Sequence, residues 1–322
     1  MALSYARQLK NVYKNIKIGI TVTNRNNELV QIAYENENII NEIIGRNKKA
    51  ALENRGKWDV LLDFMNKINT NSLVWTKFLK AKIVIIFGEK DDNHYFNKKN
   101  INNYDFDCTP PLEVHTIDYL LHSEFTKYFK FEKQKPYLKI ADTEIESVKK
   151  VWKMAENDKR IKILLSPQGS DREIPVHEIA NFLNKLDKNI SKKIKIVMGN
   201  TTGSEEYFEK LTSLINKNLN LDIMLCEKLS IREYLAFVAT SELVIGVDGG
   251  SCHIACALKK PLLSFYANNL FNLYKWSPVP YENIDTFRVV SNENRENIMS
   301  EDTYNFPLKE ASSWLKNQID NL

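Results

Sequence analysis

Apolar positions fall into two alternating periods along the chain. Ile16, Ile18, Ile20 and Val22 recur at every second residue and predict a strand over Ile16–Val22, preceded by an amphipathic helix over Leu3–Tyr13. Trp58–Phe64 (WDVLLDF), Lys82–Phe87 (KIVIIF) and Tyr104–Cys108 read as further short strands, with helices over Glu35–Ile44, Ser72–Lys80 and Leu112–Tyr128. Lys130–Lys139 is polar, basic and broken by Pro136, so it reads as a linker, with a helix over Thr143–Asn157 behind it. The alternation then resumes. Strands are expected at Ile161–Ser166, Lys193–Met198, Leu221–Cys226, Leu243–Val247 and Leu262–Phe265, interleaved with helices at Val176–Leu186, Glu205–Asn216, Ile231–Thr240 and His253–Leu258. A last helix, Leu308–Ile319, starts after Pro307. Strands alternating with helices predict the α/β class, with parallel sheets and two Rossmann-like domains, 1–135 and 136–305, followed by a C-terminal helix in 306–322.

The 322 residues are 43% hydrophobic and 27% charged, enough to bury a core and unlike a disordered chain. Apolar runs are far shorter than the roughly 18 residues of a membrane span, and the start lacks the pattern of a secretory signal, so a cytoplasmic protein is expected. Cys108, Cys226, Cys252 and Cys256 form no CxxC pair and match neither a zinc site nor a disulfide framework; they read as small buried thiols. Net charge is +4, with 24 Lys+Arg against 19 Asp+Glu in residues 1–150 and 21 against 22 in the remainder. That excess is too diffuse for a nucleic-acid footprint and suits an anionic small molecule or a membrane-surface acceptor. With only 10 glycines, each one is informative.

In an open parallel sheet, ligands bind beyond the carboxyl ends of the strands, which directs attention to three loops. Val247-Asp248-Gly249-Gly250-Ser251-Cys252-His253 runs from a strand through glycines directly into a helix, a seat for phosphate on free amides; a tight turn with Asp or Ser as N-cap reads equally well. It is neither GxGxxG nor a P-loop. Ser166-Pro167-Gln168-Gly169-Ser170-Asp171-Arg172-Glu173-Ile174-Pro175 brings a small residue, a glycine and a cation to a helix start and could grip a pyrophosphate, or place Arg172 in a surface ion pair. Gly199-Asn200-Thr201-Thr202-Gly203-Ser204-Glu205-Glu206 could set a carboxylate on a ribose diol, or be an ordinary helix start.

Together these loops resemble glycosyltransferase family nine, the ADP-heptose:lipopolysaccharide heptosyltransferases, over about 158–280 and more thinly over 3–130. The family's Asp-Thr-Gly-x-x-His loop is matched by Asp248, Gly249 in place of threonine, Gly250 and His253, and Ile254 to Pro261 is similar to the run that follows. The resemblance implies two Rossmann-like domains in a GT-B arrangement, the C-terminal helix (306–322) returning to the N-terminal domain. It further implies a nucleotide-sugar site of Ser166, Gln168, Arg172 (as the phosphate-binding cation), Glu205 or Glu206 (ribose), Leu229 (adenine), Asp248, Gly249, Gly250 and His253. Lys275-Trp276-Ser277-Pro278 also resembles a family segment. Arg46, Lys48 and Lys49, with Arg55 and Lys57 nearby, and His115 fall where the family holds its acceptor; a solvated loop and a structural histidine are the competing readings. His94 and His122 suggest no metal site.

The implied activity is an inverting transfer of heptose or a related sugar from ADP-heptose to a lipopolysaccharide core acceptor. Partners would be the nucleotide sugar and a lipid-linked saccharide met at the inner-membrane surface, with no cofactor, no obligatory metal and no nucleic acid. The front of the chain departs from the family: it opens within the first helix, so the N-terminal domain lacks its first strand and the Gly-Asp loop whose acid is the proposed base. No catalytic residue is therefore assigned. The missing strand would leave two parallel neighbours unpaired, which favours oligomerisation or rearrangement. A homologue that binds nucleotide or a partner without turnover is the alternative, and a GT-B epimerase a third.

Overall fold

The computed structural model describes residues 2–24, 26–64, 70–87, 104–127, 130–169, 172–294, 298 and 304–322. His94, Ser170 and Asp171, named above, and the Tyr128 end of the third expected helix lie outside the described residues. The chain divides into two units, residues 1–134 and 135–322.

In the first unit, α1 (Ala2–Val12) leads to β1 (Gly19–Val22), α2 (Asn27–Asn36), β2 (Glu42–Gly45), α3 (Lys48–Glu53), β3 (Val60–Asp63), α4 (Thr70–Leu79), β4 (Ile83–Ile86) and β5 (Phe106–Asp107). All strand pairs are parallel, but they form two sheets, β1–β2 and β3–β4–β5. Among the described residues, no strand pairs with the outer edge of β1 or of β3. Helix α1 ties the two together. Tyr5 stacks on Phe64 at 3.9 Å beside Ile85 and Phe87, Ala6 packs with Ile18, Ile20 and Val22, and Leu9 touches both clusters. Arg7 anchors α1 through two hydrogen bonds of 2.7 Å to the Glu37 carboxylate, just past α2.

Two expected helices are corrected here. Over Glu35–Ile44 the helix stops at Asn36, Glu37 is extended (φ −138°, ψ 131°), and Ile43 and Ile44 enter β2. The isoleucine pairs four apart mimic a helical stripe, while their β-branched side chains favour a strand. Leu112–Tyr128 resolves into two short 3₁₀ turns, Thr116–Asp118 and Glu124–Lys127. Ser123 Oγ donates to the Leu120 carbonyl and Thr126 Oγ to the Ser123 carbonyl, side-chain bonds that compete with a continuous helix.

The second unit opens with α5 (Asp142–Val148) and continues β6 (Ile161–Ser166), α6 (Val176–Leu183), α7 (Lys188–Lys193), β7 (Ile194–Met198), α8 (Ser204–Leu214) and β8 (Ile223–Leu225). After these come α9 (Ile231–Thr240), β9 (Leu243–Val247), α10 (Gly250–Ala257), β10 (Leu262–Tyr266), α11 (Leu270–Lys275), β11 (Thr286–Val290) and α12 (Leu308–Asn321). Six parallel strands lie in the order β11-β10-β9-β6-β7-β8. Successive side chains of each strand serve opposite faces. Ile163, Leu165, Ile196, Met198 and Ile245 pack under α6, α8 and α12, whereas Leu164, Val197, Val244 and Leu262 pack under α5, α9 and α10. This is a three-layer, doubly wound domain.

The expectation that the C-terminal helix returns to the first domain is also corrected. Ala311, Leu315 and Ile319 of α12 are buried in the second domain's core with Phe182 and Ile194, and Leu308 and Trp314 pack against that core. Ion pairs Lys193–Asp320 (2.7 Å) and Lys316–Asp187 (3.4 Å) add to this seat. Its apolar stripe is spent within the second domain.

Candidate functional site

The strand order of the second domain fixes where a ligand can enter. From β6 the chain moves outward through β7 and β8, then returns to place β9 on the other side of β6. The loops leaving β6 and β9 diverge at this reversal and open a crevice at the carboxyl ends. Ser166 ends β6, and Asp248 follows β9. The fold therefore brings together the two loops richest in candidates.

Asp248 is buried, its side chain 4% exposed, and its Oδ2 lies 3.4 Å from Arg172 Nε. Arg172 is thus no surface ion pair: it is held at the mouth of the crevice, 27% exposed, with Nη1 also 3.5 Å from the Asp248 carbonyl oxygen. Burial pushes the Asp248 carboxyl up to about 6 against the opposing pull of Arg172 and a hydrogen bond with Tyr266.

Helix α10 begins at Gly250 with Gly249 as its N-cap, so neither Asp248 nor a serine caps it. Neither glycine is demanded by the backbone. Gly249 is extended (φ 174°), a conformation open to any residue, and a β-carbon at Gly250 would meet nothing within 4 Å. What the pair supplies is a bare approach to the amides of the first helical turn. Gly246 has the opposite role: a β-carbon there would lie 3.2 Å from Cys252 Sγ, so glycine lets α10 close onto the sheet. His253 follows in the same helix and is half-buried.

Gln168 is locked by two contacts, donating to Glu173 Oε2 (2.6 Å) and accepting from Ser204 Oγ (2.6 Å), which joins the β6 loop to the start of α8. Gly203, at φ 84°, makes the turn into α8. Glu205 and Glu206 are both exposed in its first turn, and Glu206 is held by Lys210 at 2.7 Å along the helix. Leu229 is half-buried between β8 and α9 against the α5–α9 core. Asn200 donates to the Cys226 carbonyl, while its Oδ1 is buried with no hydrogen-bond partner.

In the first unit, Arg46 leaves β2, donates to Ser72 Oγ (2.8 Å) and lies 5.9 Å over the Trp75 ring. Lys48 and Lys49 begin α3 rather than a loop, with Asn47 Oδ1 capping the helix through the Ala50 amide; Lys49 pairs with Glu53 on the surface. His115 Nδ1 accepts from the Ile117 amide (3.1 Å), so this histidine caps a turn. The sequence reading missed Asp63, at the end of β3. Burial and then the Asp63 charge push the Tyr104 phenol up, with the Arg46 charge opposing, and the buried Tyr104 hydroxyl has no hydrogen-bond partner among the described residues. It also missed Tyr234 and Ser251, whose hydroxyls lie 2.8 Å apart. Ser251 stood inside the glycine loop, and Tyr234 is a polar tip in the first turn of an otherwise apolar helix face; either could have been flagged.

The sequence model of Glycosyltransferase family 9 (heptosyltransferase) matches residues 49–305, more than half of the chain. The chain belongs to glycosyltransferase family 9. Among solved structures, the ADP-heptose LPS heptosyltransferase II of E. coli superposes with a TM-score of 0.73 at 13% identity, covering 99% of this chain and 94% of that one. A family 9 glycosyl transferase from Veillonella parvula gives 0.72 at 11% identity, covering 99% and 92%. E. coli heptosyltransferase WaaC with ADP gives 0.61 at 13%, covering 98% and 94%. No curated protein sequence matches the chain. The protein is a glycosyltransferase of the GT-B type, and among the described residues no helix is long and apolar enough to cross a membrane.

Proposed function

We propose that this glycosyltransferase transfers heptose or a related sugar, with inversion, from an ADP-linked donor to a lipopolysaccharide core acceptor, working in the cytoplasm at the inner-membrane surface. One observation carries the reading: the crevice between β6 and β9 pairs a partly exposed guanidinium with a glycine turn that neither the backbone nor the packing requires. In this reading the diphosphate lies over the amides of Gly249, Gly250 and Ser251, with Arg172 as counter-cation, and His253 stands beside it. Glu205 reaches the ribose and Leu229 packs on the adenine, while Glu206 is already held by Lys210. Ser166 and Gln168 complete the pyrophosphate side. Structural relatives that include a heptosyltransferase with ADP support the choice of donor.

The acceptor hydroxyl oxygen bonds to the sugar's anomeric carbon and gives its proton to the surrounding water, while the bond from that carbon to the diphosphate breaks and ADP leaves with the bonding electron pair. Negative charge then grows on the leaving oxygen, where fixed donors stabilise it. Arg172 and the loop amides supply those donors, and the reading assigns no resident metal or cofactor. An anionic acceptor would meet Arg46, Lys48, Lys49 and His115. The test is incubation with ADP-heptose and a heptose-free lipopolysaccharide acceptor. Mass spectrometry should show the acceptor heavier by one heptose, together with stoichiometric ADP; absence of both contradicts the proposal.

A further inference from the structure

Three hydroxyls meet at the strand reversal in the second domain. Ser166 Oγ, at the end of β6, lies 2.7 Å from Ser251 Oγ in the first turn of α10. Ser251 Oγ lies 2.8 Å from the Tyr234 hydroxyl in the first turn of α9, while Tyr234 to Ser166 is 3.5 Å. Two glycines border this meeting: a β-carbon at Gly199 would lie in ordinary contact with the Tyr234 ring at 3.6 Å, and one at Gly246 in ordinary contact with Ser251 Cβ at 3.9 Å. The cluster thus joins three segments far apart in the chain at the place where the crevice opens.

A count of protons gives the cluster a direction. Three hydroxyls carry three protons, and the two short contacts use two of them. By its ordinary value the phenol is the most acidic of the three, which favours it as first donor, although burial pushes it up. Either oxygen can donate in each of the two short contacts; with the phenol as first donor, Tyr234 donates to Ser251 and Ser251 to Ser166, and the Ser166 proton is the one left over. Each donation polarises the next, which strengthens the terminal donor.

We propose that Tyr234 and Ser251 are positioning residues that hold the Ser166 hydroxyl as a donor to the diphosphate of the bound nucleotide. The relay rests on the donor-site reading above. Were the cluster only a structural clasp, its loss would lower stability without changing how well the diphosphate is recognised.

The experiment measures the affinity of the full chain for ADP and for adenosine, by calorimetry and competition, in the wild type, Tyr234→Phe, Ser251→Ala, Ser166→Ala and the Tyr234→Phe/Ser166→Ala double variant. Tyr234→Phe keeps the ring over Gly199. It should weaken ADP by roughly 2- to 13-fold, the range for one neutral hydrogen bond, and leave adenosine unchanged. Ser251→Ala should do the same and serves if the tyrosine variant misfolds. The double variant should be no worse than Ser166→Ala alone, because the relay acts only through Ser166. Equal weakening of ADP and adenosine, full additivity in the double variant, or unchanged ADP affinity in both relay variants overturns the relay while leaving the donor site standing. A wild type that binds no ADP removes the donor site, and the relay with it.

Discussion

Asp248 shows how one residue can serve a site at a cost to the fold. Its carboxyl is buried beside a single partly exposed cation, and its folded-state value of about 6 lies above the ordinary 3.8. The folded state therefore binds the proton more tightly than the unfolded one. The resulting destabilisation is fully present above pH 6 and is relieved as pH falls through 6 towards 3.8. Asp248→Asn should accordingly raise stability at pH 7.5 by roughly 1–3 kcal/mol, an advantage that shrinks as pH falls to 5. Urea unfolding at both pH values checks this; an equal difference at both would mean that burial is not the cause. At this scale the glycine pair and Arg172 were legible, because a strand running through glycines into a helix is a local pattern. The hydroxyl meeting was not, since Ser166 and Ser251 are 85 residues apart and only the sheet order brings them together.

Among the elements, α9 and β9 match the sequence expectation residue for residue, because each is bounded sharply by polar or turn residues. The misread stretch over Glu35–Ile44 had no such boundary that outweighed its isoleucine spacing. Helix α12 was found correctly from its stripe, but a stripe states only that a face is buried and not which surface covers it. Because Leu315 is fully buried in the second domain's core, Leu315→Ala should cost roughly 2–5 kcal/mol. Urea unfolding followed by tryptophan fluorescence gives the size of the loss. Hydrogen exchange gives its place: faster exchange in β6, α6 and α7, with residues 2–87 unchanged where described. Loss of protection confined to the first unit would contradict the assignment of α12.

For the whole molecule, alternating periods already implied parallel α/β domains, and the family's loop pattern located the candidate site. What they could not specify was pairing. The first unit's strands separate into β1–β2 and β3–β4–β5, held by one helix whose Tyr5, Ala6 and Leu9 reach both clusters. The second domain, by contrast, has an unbroken six-stranded sheet, which suits it to hold its ligand loops rigidly. The central claim is that those loops bind an ADP-linked donor, and calorimetric titration of ADP into the wild type, Arg172→Ala and Gly250→Val tests it most directly. A side chain at Gly250 meets open space, so this variant should melt as the wild type does, yet bind ADP at least about tenfold more weakly by covering the bare turn. Arg172→Ala should lose roughly 10- to 150-fold, the worth of a charge-assisted contact. Saturable ADP binding weakened in both folded variants is the result the account predicts; no binding by the wild type, or equal affinity in all three proteins, would contradict it.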